Sequence, residues 1–504
     1  MEEPLKKLAT QTVIYGGTTM VQRFLSYVLV PFHTYIFGNP EYYGIYNEFY
    51  AYSALLLVVL SYGMETTFFR FSELENDRKK VFRTALTALF CTSSLFVVLG
   101  LIFSGQIASL IDYAQHPEYV RWFVLMLGLD AMTYVPYAKL RSENRPYLFA
   151  FLKICNVALN VGLNVFFLWI CPKMLENNIL PDLISHIYKP EIGIGYAFIS
   201  NLIASCVQFI MLFFTHLKFI KLSIDWQLLK RMLKYALPLM ILGLAGIANE
   251  SIDRIMLKFL AGDISHTAMY YVGVYSACVK IAILMRLFQE AFRFAAEPFF
   301  FSLYQKHNDK EKYAQVMTYF VIVCGFIFLF VMMYIDGFQY FTGKEYREGM
   351  AVVPIMLLAY LILGINFNLS IWYKLTGKTQ YGAYITVCGT VLTIGLNFLL
   401  IPTIGFMGAA WTHLITYFAM MLASYFLGQK VYPVPYNVKK ILLYISVALA
   451  LFSISYFLIP FQYFGEHQLV IKLIINTLIL FSYVAFVYFK EFKCIRRMKK
   501  ASQN

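Results

Sequence analysis

The chain of 504 residues alternates between long apolar runs and short polar connections. Fourteen runs reach the roughly 20 residues that an α-helix needs to cross the hydrocarbon core of a bilayer. They lie at about 12–37, 45–69, 81–112, 119–140, 147–171, 193–216, 235–261, 270–293, 313–336, 349–373, 380–402, 407–427, 441–460 and 468–489. The pattern predicts an all-α polytopic membrane protein with about 14 transmembrane helices.

Composition supports this prediction. Hydrophobic residues make up 60% of the chain and aromatic residues 18%, and the mean hydropathy is +0.63. The first apolar run is too long for the hydrophobic region of a signal peptide, so we expect it to be the first span. The eight cysteines show no paired spacing, which predicts neither disulfides nor a metal site.

The positive charges are distributed asymmetrically between the predicted loops. Of the 42 lysines and arginines, 29 fall on the side of the two termini, six on the other side, and seven within or at the edge of spans. The positive-inside rule therefore predicts that both termini are cytoplasmic. The net charge of +14 is explained by topology and by contact with anionic lipid, and we expect no nucleic-acid partner.

A short internal repeat suggests two halves. Gly44 and Tyr46 in the second run match Gly273 and Tyr275 in the eighth, and an even number of spans separates the copies. Such copies have the same orientation and are related by an axis along the membrane normal. We predict an N-terminal lobe (1–221), a cytoplasmic amphipathic linker on the membrane surface (222–235), a six-helix C-terminal lobe (236–430), and a C-terminal helix pair with a basic tail (431–504).

Two predicted spans carry stripes of charged residues. At 100° per residue, one face of the seventh span carries the first stripe, and one face of the eighth span carries the second. A basic group turned to lipid costs roughly 3 kcal/mol, so both stripes must face protein or water. We expect the two stripes to face each other. The first consists of Glu250, Asp253, Arg254 and Lys258, and the second of Arg286, Glu290, Arg293 and Glu297.

Arginines inside spans are candidates for anion binding, because a guanidinium stays charged in a dry site and matches the geometry of phosphate. The candidates are Arg23, Arg254 and Arg286. A second group is suited to ion coupling or gating: Glu65, Asp130, Glu250, Asp253, Lys258, Lys280 and Glu290. For Asp130 a structural pair with Lys153 on a neighbouring helix is the alternative.

No pattern predicts an enzyme. The chain lacks HExxH, GxSxG and DxD motifs, and its two GK-containing segments lack the glycine spacing of a P-loop. We therefore predict no catalytic residue, no metal and no cofactor.

Three segments resemble the polysaccharide transporters of the multidrug/oligosaccharidyl-lipid/polysaccharide exporter superfamily, a group that includes the O-antigen flippases. They are SIDRIMLKFLAG (251–262), YVGVYSACVKIA (271–282) and AEPFFF (296–301). The resemblance implies two six-helix lobes around a central cavity, with Arg23 and Arg254 at the positions of the family's cavity cations and Arg286 nearby. It also implies a flippase of the bacterial inner membrane that carries a polyprenyl-pyrophosphate-linked oligosaccharide outward by alternating access, for cell-surface polysaccharide biosynthesis such as that of lipopolysaccharide.

The implied partners are the lipid-linked oligosaccharide, membrane lipids, a coupling ion (proton or sodium) and other membrane proteins of polysaccharide assembly. Two alternatives remain open at this stage. A drug/cation antiporter of the same superfamily would favour an acidic cavity and twelve spans, whereas this interior is basic. A membrane oligosaccharide polymerase or ligase would need a sizeable outer loop, and the longest predicted one is only about 172–192.

Overall fold

The computed structural model describes residues 2–216, 222–261, 266–306, 310–458 and 468–501, and it is helical throughout with no strand in these ranges. Two compact units are present, Met1–Gly273 and Val274–Asn504. The units part within the eighth predicted span rather than at the predicted linker. The pseudo-symmetric lobes proposed from the repeat stay a prediction.

The first unit contains the helices up to the beginning of α12. They are α1 (Glu2–Phe37), α2 (Pro40–Ser61), α3 (Met64–Leu74), α4 (Arg78–Ile102), α5 (Ser104–Leu110), α6 (Pro117–Ser142), α7 (Pro146–Val165), α8 (Cys171–Glu176), α9 (Pro181–Ile187), α10 (Gly195–His216), α11 (Trp226–Leu260) and the start of α12 (Ala268–Ile281).

The second unit contains the rest of α12 and the helices that follow it. They are α13 (Ile283–Lys306), α14 (Lys310–Met333), α15 (Ile335–Phe338), α16 (Val352–Leu369), α17 (Ile371–Leu375), α18 (Gln380–Ile404), α19 (Phe406–Val431), α20 (Val438–Ser453) and α21 (Gln468–Ala501).

Among the described residues, eleven helices are long and apolar enough to cross a membrane, or twelve if α12 and α13, which meet at a 50° bend, form one span. The protein is therefore a multi-pass membrane protein. The predicted total of fourteen stays a prediction. Its two further spans correspond to α1 and α6, which have 36 and 26 residues and are thus long enough to cross.

The predicted surface linker is not a separate helix. From Trp226 onward the amphipathic segment is continuous with the seventh span in α11, which has 35 residues. At 1.5 Å per residue α11 is about 52 Å long, which exceeds the roughly 30 Å of the hydrocarbon core. The segment 226–235 therefore extends a span beyond the apolar layer, while residues 217–221 lie outside the described residues.

An aromatic core holds the first unit together. The ring of Phe49 lies 5.1 Å from each of the rings of Tyr113, Phe123 and Phe198, measured between centroids. These residues come from α2, the loop before α6, α6 and α10. Aromatic pairs at this separation contribute about 0.5 to 1.5 kcal/mol beyond their burial, so the cluster fixes α6, α10 and the loop before α6 against α2.

In the second unit, buried polar contacts attach the C-terminal helix pair to α14. Asn476 of α21 accepts a hydrogen bond from the Ser455 hydroxyl at 2.7 Å and donates one to the Met333 carbonyl, also at 2.7 Å. Farther along α21, the Tyr483 hydroxyl donates to the Ile322 carbonyl at 3.1 Å. Hydrogen bonds of this kind substitute for the hydrophobic driving force that is absent between helices in lipid.

Asp225 begins α11 and predicts a pH dependence of stability. Its carboxylate accepts a hydrogen bond from the Leu228 amide at 2.8 Å and lies 2.5 Å from the Lys80 ammonium. The hydrogen bond from the Leu228 amide has the larger effect in lowering the pKa of Asp225, and the hydrogen bond from Lys80 lowers it further. A lowered pKa in the folded state stabilises the protein above the pKa of the unfolded aspartate, and this contribution is lost as the pH falls through the folded-state value.

We therefore expect Asp225→Ala to lower the melting temperature at pH 7. The difference in melting temperature between this variant and wild type should become smaller as the pH is lowered below about 4. Asp225→Asn keeps an acceptor for the Leu228 amide and loses the charge, so its effect should be intermediate. Thermal melting of the detergent-solubilised protein across pH 3 to 8 measures this. A difference between wild type and Asp225→Ala that is independent of pH would contradict the assignment.

Candidate functional site

The first charged stripe divides along α11. Asp253 is almost fully buried, and Arg254 lies beside it with 14% of its side chain exposed. The Arg254 Nη1 atom is 3.3 Å from Asp253 Oδ1 and donates to the Glu250 carbonyl at 3.0 Å. Arg254 is thus held by groups of its own helix, and the Glu250 side chain on the same face is exposed. Within the first unit, Asp253 and Arg254 of the predicted stripe are thus largely buried, and its orientation toward lipid stays a prediction.

Lys258, one turn farther along α11, lies in an ion cluster in which the Asp112 side chain is exposed and those of Glu48 and Lys258 are buried. Its ammonium is 3.0 Å from Glu48 Oε1 and 3.7 Å from Asp112 Oδ2, and it donates to the Ile111 carbonyl. The side chain of Glu48 is fully buried and that of Lys258 is 8% exposed. The Tyr113 hydroxyl donates to the other oxygen of Glu48 at 2.5 Å, and its ring lies 4.6 Å from the Lys258 ammonium. We call Glu48, Asp112, Tyr113 and Lys258 the ion cluster.

The ion cluster joins segments that are distant in the sequence. Glu48 lies in the third turn of α2, Asp112 and Tyr113 lie between α5 and α6, and Lys258 lies in the last turn of α11. α1 and α11 run away from the N-terminal side of the first unit, and α2 runs back toward it. These positions therefore lie toward the side of the unit opposite its N-terminus. The contacts therefore fasten this end of the unit.

Two glycines bring α2 and α12 into backbone contact near the ion cluster. A Cβ atom built on Gly44 would lie 2.0 Å from the Met269 carbonyl oxygen, and one built on Gly273 would lie 1.9 Å from the Pro40 carbonyl oxygen. Only glycine permits such an approach, as in other membrane helix pairs with small residues at their contact. Gly44 and Gly273 are the two positions matched in the predicted repeat, and here they pack against each other.

The second stripe lies on α13 and packs against α16 of its own unit. Arg286 Nε is 3.9 Å from Glu290 Oε1, one turn away, and both side chains are largely buried. The guanidinium groups of Arg286 and Arg293 lie 6.0 Å and 5.6 Å from the ring of Phe367. The side chain of Glu297 lies outside the described residues. The expectation that the two stripes face each other stays a prediction, because they belong to different units.

Two other predicted residues have partners in the first unit. Glu65 accepts a hydrogen bond from Arg141 at 2.5 Å, and both side chains are more than a third exposed, which is typical of an ion pair near the end of a span. Asp130 accepts a hydrogen bond from the Ser205 hydroxyl and interacts electrostatically with Lys153. The ammonium of Lys153 lies 4.2 Å from the centre of the Tyr137 ring. This arrangement supports a structural role for Asp130.

The remaining predicted residues, Arg23 and Lys280, lie in different units. Arg23 is exposed on α1 in the first unit, whereas Lys280 is half-buried near the end of α12 in the second. Arg23 and Arg254 belong to the first unit and Arg286 to the second, so their common use in anion binding stays a prediction.

The sequence reasoning missed three members of the ion cluster. Glu48 is a carboxylate inside an apolar run, and that signal was present in the sequence. Asp112 and Tyr113 follow a span, where polar residues are ordinary, so only the fold distinguishes them.

Comparisons with known proteins agree with this architecture. No protein-family profile matches the chain. The chain is similar to the capsular polysaccharide biosynthesis protein CapF of Staphylococcus aureus, with 24% identity over 200 residues. That alignment covers 39% of this chain and 49% of CapF, so the chain matches about half the length of this curated relative.

Solved structures match over far more of the chain. The lipid II flippase MurJ, in an inward closed conformation, has a TM-score of 0.71 and 14% identity, over 95% of this chain and 100% of MurJ. An inward-facing MATE family transporter of the MOP superfamily has a TM-score of 0.64 and 14% identity, over 81% of this chain and 94% of the transporter. The chain has the fold of these two transporters. The resemblance predicted from the three sequence segments is thereby confirmed for the fold.

The ion cluster predicts strong coupling between Lys258 and Glu48. We expect Lys258→Met and Glu48→Leu each to lower the free energy of unfolding by about 3 to 5 kcal/mol, because each removes one partner of a buried ion pair. The double variant should lose much less than the sum. Unfolding in mixed detergent monitored by circular dichroism measures the cycle.

The exposed pair Arg78 and Glu73, 3.1 Å apart, provides the matched control. The cycle of Arg78→Met with Glu73→Leu should show about 1 kcal/mol of coupling or less. Equal coupling energies in the two cycles would refute the assignment of a buried ion pair.

The glycine contact generates a separate prediction. Gly273→Ala places a methyl group against a backbone carbonyl that cannot rotate away, and we expect a loss of about 1 to 3 kcal/mol. Gly246→Ala on α11 is the control, since a Cβ there meets nothing within 4 Å. In the same unfolding assay the control should be neutral or stabilising by about 1 kcal/mol, from helix propensity. Equal behaviour of the two variants would argue against the close helix contact.

Proposed function

We propose that the protein is a flippase that moves a polyprenyl-pyrophosphate-linked oligosaccharide from the cytoplasmic to the outer leaflet for cell-surface polysaccharide biosynthesis. The observation that carries this proposal is the fold likeness to MurJ, which extends over 95% of the chain. The relative CapF is named for capsular polysaccharide biosynthesis, which supports a saccharide as cargo.

The charges inside the spans support an anionic cargo. Arg254 lies close to Asp253, and Arg286 lies close to Glu290. Both arginine side chains are largely buried within the protein. Guanidinium groups of this kind match a diphosphate, because they offer paired donors and remain protonated. In the proposal Arg23, Arg254 and Arg286 contact the diphosphate during transport.

The cycle we propose is alternating access. The ion cluster fastens one end of the first unit, and with both termini in the cytoplasm that end faces outward. Opening to the outer leaflet then requires Lys258 to leave Glu48, and a proton or sodium ion arriving at the carboxylate would replace it. The inner membrane, the coupling ion, the accessory assembly proteins and the absence of enzymatic activity belong to this proposal.

Efflux of cationic drugs is the competing function, and the likeness to a multidrug MATE transporter supports it. The two functions differ in the sign of the cargo. A basic interior favours an anion, because bringing a cation close to arginine side chains costs Coulomb energy in a low dielectric.

Reconstituted transport tests the proposal. Liposomes would contain the protein and a fluorescent polyprenyl-diphosphate oligosaccharide in both leaflets, and a membrane-impermeant quencher would report translocation of the saccharide. We expect wild type to move the lipid and Arg23→Gln, Arg254→Gln and Arg286→Gln each to slow it about tenfold or more, since a hydrogen bond to a charged group is worth about 1.5 to 3 kcal/mol. Arg78→Gln, at an exposed site, is the control.

Three outcomes distinguish the functions. Translocation that persists in all three arginine variants would keep the flippase and remove the arginines from its site. Uptake of a cationic dye driven by an ion gradient, without lipid movement, would establish the antiporter. Lengthening or transfer of the glycan without translocation would establish an enzyme.

A further inference from the structure

The second unit contains a pocket that the proposed transport of a diphosphate does not require. It lies among α13, α14, α16 and α17 and is open on one side, and the empty space in the pocket and at its mouth, open solvent included, is about 370 Å³. Three aromatic rings form much of its wall, and three polar side chains reach it from α13 and α16. The rings are Phe292, Phe320 and Phe367, and the polar side chains are Gln289, Arg293 and Asn368.

Two carbonyl oxygens in this pocket have no hydrogen-bond donor among the described residues. Gln289 is 1% exposed and Asn368 is 5% exposed. The Gln289 amide nitrogen donates to the Tyr360 carbonyl, and the Asn368 amide nitrogen donates to the Gly364 carbonyl at 3.1 Å. These bonds fix both amides, so that Gln289 Oε1 and Asn368 Oδ1 remain as buried acceptors without a partner. Buried acceptors are normally satisfied, and two in one pocket indicate a ligand that brings donors.

A positive charge lines the same pocket. Arg293 follows Gln289 by four residues on α13 and therefore lies on the same face of the helix. Its guanidinium is 5.6 Å from the centre of the Phe367 ring, and Lys374 also lines the pocket. The pocket thus combines two hydrogen-bond acceptors, a permanent cation and aromatic surfaces.

A glycine sets the position of one wall. A Cβ atom built on Gly364 would lie 2.4 Å from the Phe320 ring and 3.0 Å from the Gln289 amide nitrogen. Because Gly364 has no side chain, the ring and the amide can both approach α16. The aromatic wall and the orphaned acceptor are therefore placed by the same residue.

We propose that this pocket binds a hydroxylated ring carrying one negative charge, that is, a sugar acid or a sugar phosphate. Ring hydroxyls would donate to Gln289 Oε1 and Asn368 Oδ1, the anion would contact Arg293, and the apolar face of the ring would lie on the phenylalanines. A neutral sugar lacks the group for Arg293, and inorganic phosphate lacks the ring. The proposed binding of such a ring does not depend on the proposed function. Only the assignment of the ring to the carried glycan rests on it.

Binding to the purified full-length protein in lipid nanodiscs tests the site without any transport. The probes are glucuronate, glucose 1-phosphate, methyl glucoside and inorganic phosphate, titrated by calorimetry. We expect both anionic sugars to bind at least about tenfold more tightly than methyl glucoside and than phosphate, as one added charge-assisted hydrogen bond predicts. Equal affinity for phosphate and glucose 1-phosphate, or no binding of any sugar, would overturn the proposal.

Variants separate the two kinds of contact. Arg293→Gln should reduce the affinity for glucuronate to that for methyl glucoside, whereas Gln289→Met and Asn368→Leu should weaken both sugars about tenfold. Each substitution removes an unsatisfied acceptor at similar volume, together with the hydrogen bond that the amide donates to Tyr360 or Gly364, so the melting temperature is measured to confirm that the variant is folded. Arg347→Gln is the control, because Arg347 of the same unit stacks on Tyr340 away from the pocket. Unchanged sugar affinity in folded Asn368→Leu would also overturn the site.

A competition arm identifies the source of the ring. Displacement of glucuronate by a polyprenyl-diphosphate saccharide in wild type, and not in Arg293→Gln, would assign the site to the carried glycan. Glucuronate binding without such displacement would support the pocket as a site for a soluble sugar and reject that assignment. Failure of lipid transport in the liposome assay would leave these binding results unaffected, so the two proposals fail separately.

Discussion

A charge in the apolar interior of a membrane protein must be neutralised by a partner, and the ion cluster of the first unit follows from this constraint. Glu48 is fully buried, and its two carboxylate oxygens are used by Lys258 and by the Tyr113 hydroxyl. Each of these groups would be costly alone at this depth. Together they make α2, the end of α11 and the loop before α6 dependent on one another.

The same constraint explains how the helices approach. Gly44 and Gly273 let α2 and α12 meet through backbone atoms, close to the segments that the ion cluster joins. Since apolar side chains gain little from leaving lipid for another helix, such packing and the buried hydrogen bonds carry the association. Asn476 and Tyr483 serve the same purpose in the second unit, where they attach α21 to α14.

The two charged stripes illustrate two ways of holding arginine inside a span. Arg254 lies against an acidic neighbour of its own helix, whereas Arg286 and Arg293 combine an acidic neighbour one turn away with the aromatic surface of α16. Both arrangements leave donors of the guanidinium group oriented by the protein. In the proposed function, an anionic cargo would meet guanidinium groups that are already oriented, which lowers the cost of ordering them on binding.

Hydropathy alone determined that this is an all-α multi-pass membrane protein, because only helices satisfy every backbone hydrogen bond within an apolar segment. The three sequence segments pointed to the fold that the solved transporters share, and helical periodicity placed the charged residues of each stripe on one face of a helix. The tertiary structure decided which charges meet. Periodicity places Lys258 on a face, but only the fold brings it to Glu48, 210 positions earlier in the chain. In the same way, only the fold shows that the amides of Gln289 and Asn368 line one pocket. Contacts between distant segments depend on how helices pack, and they leave no periodic signal in the sequence.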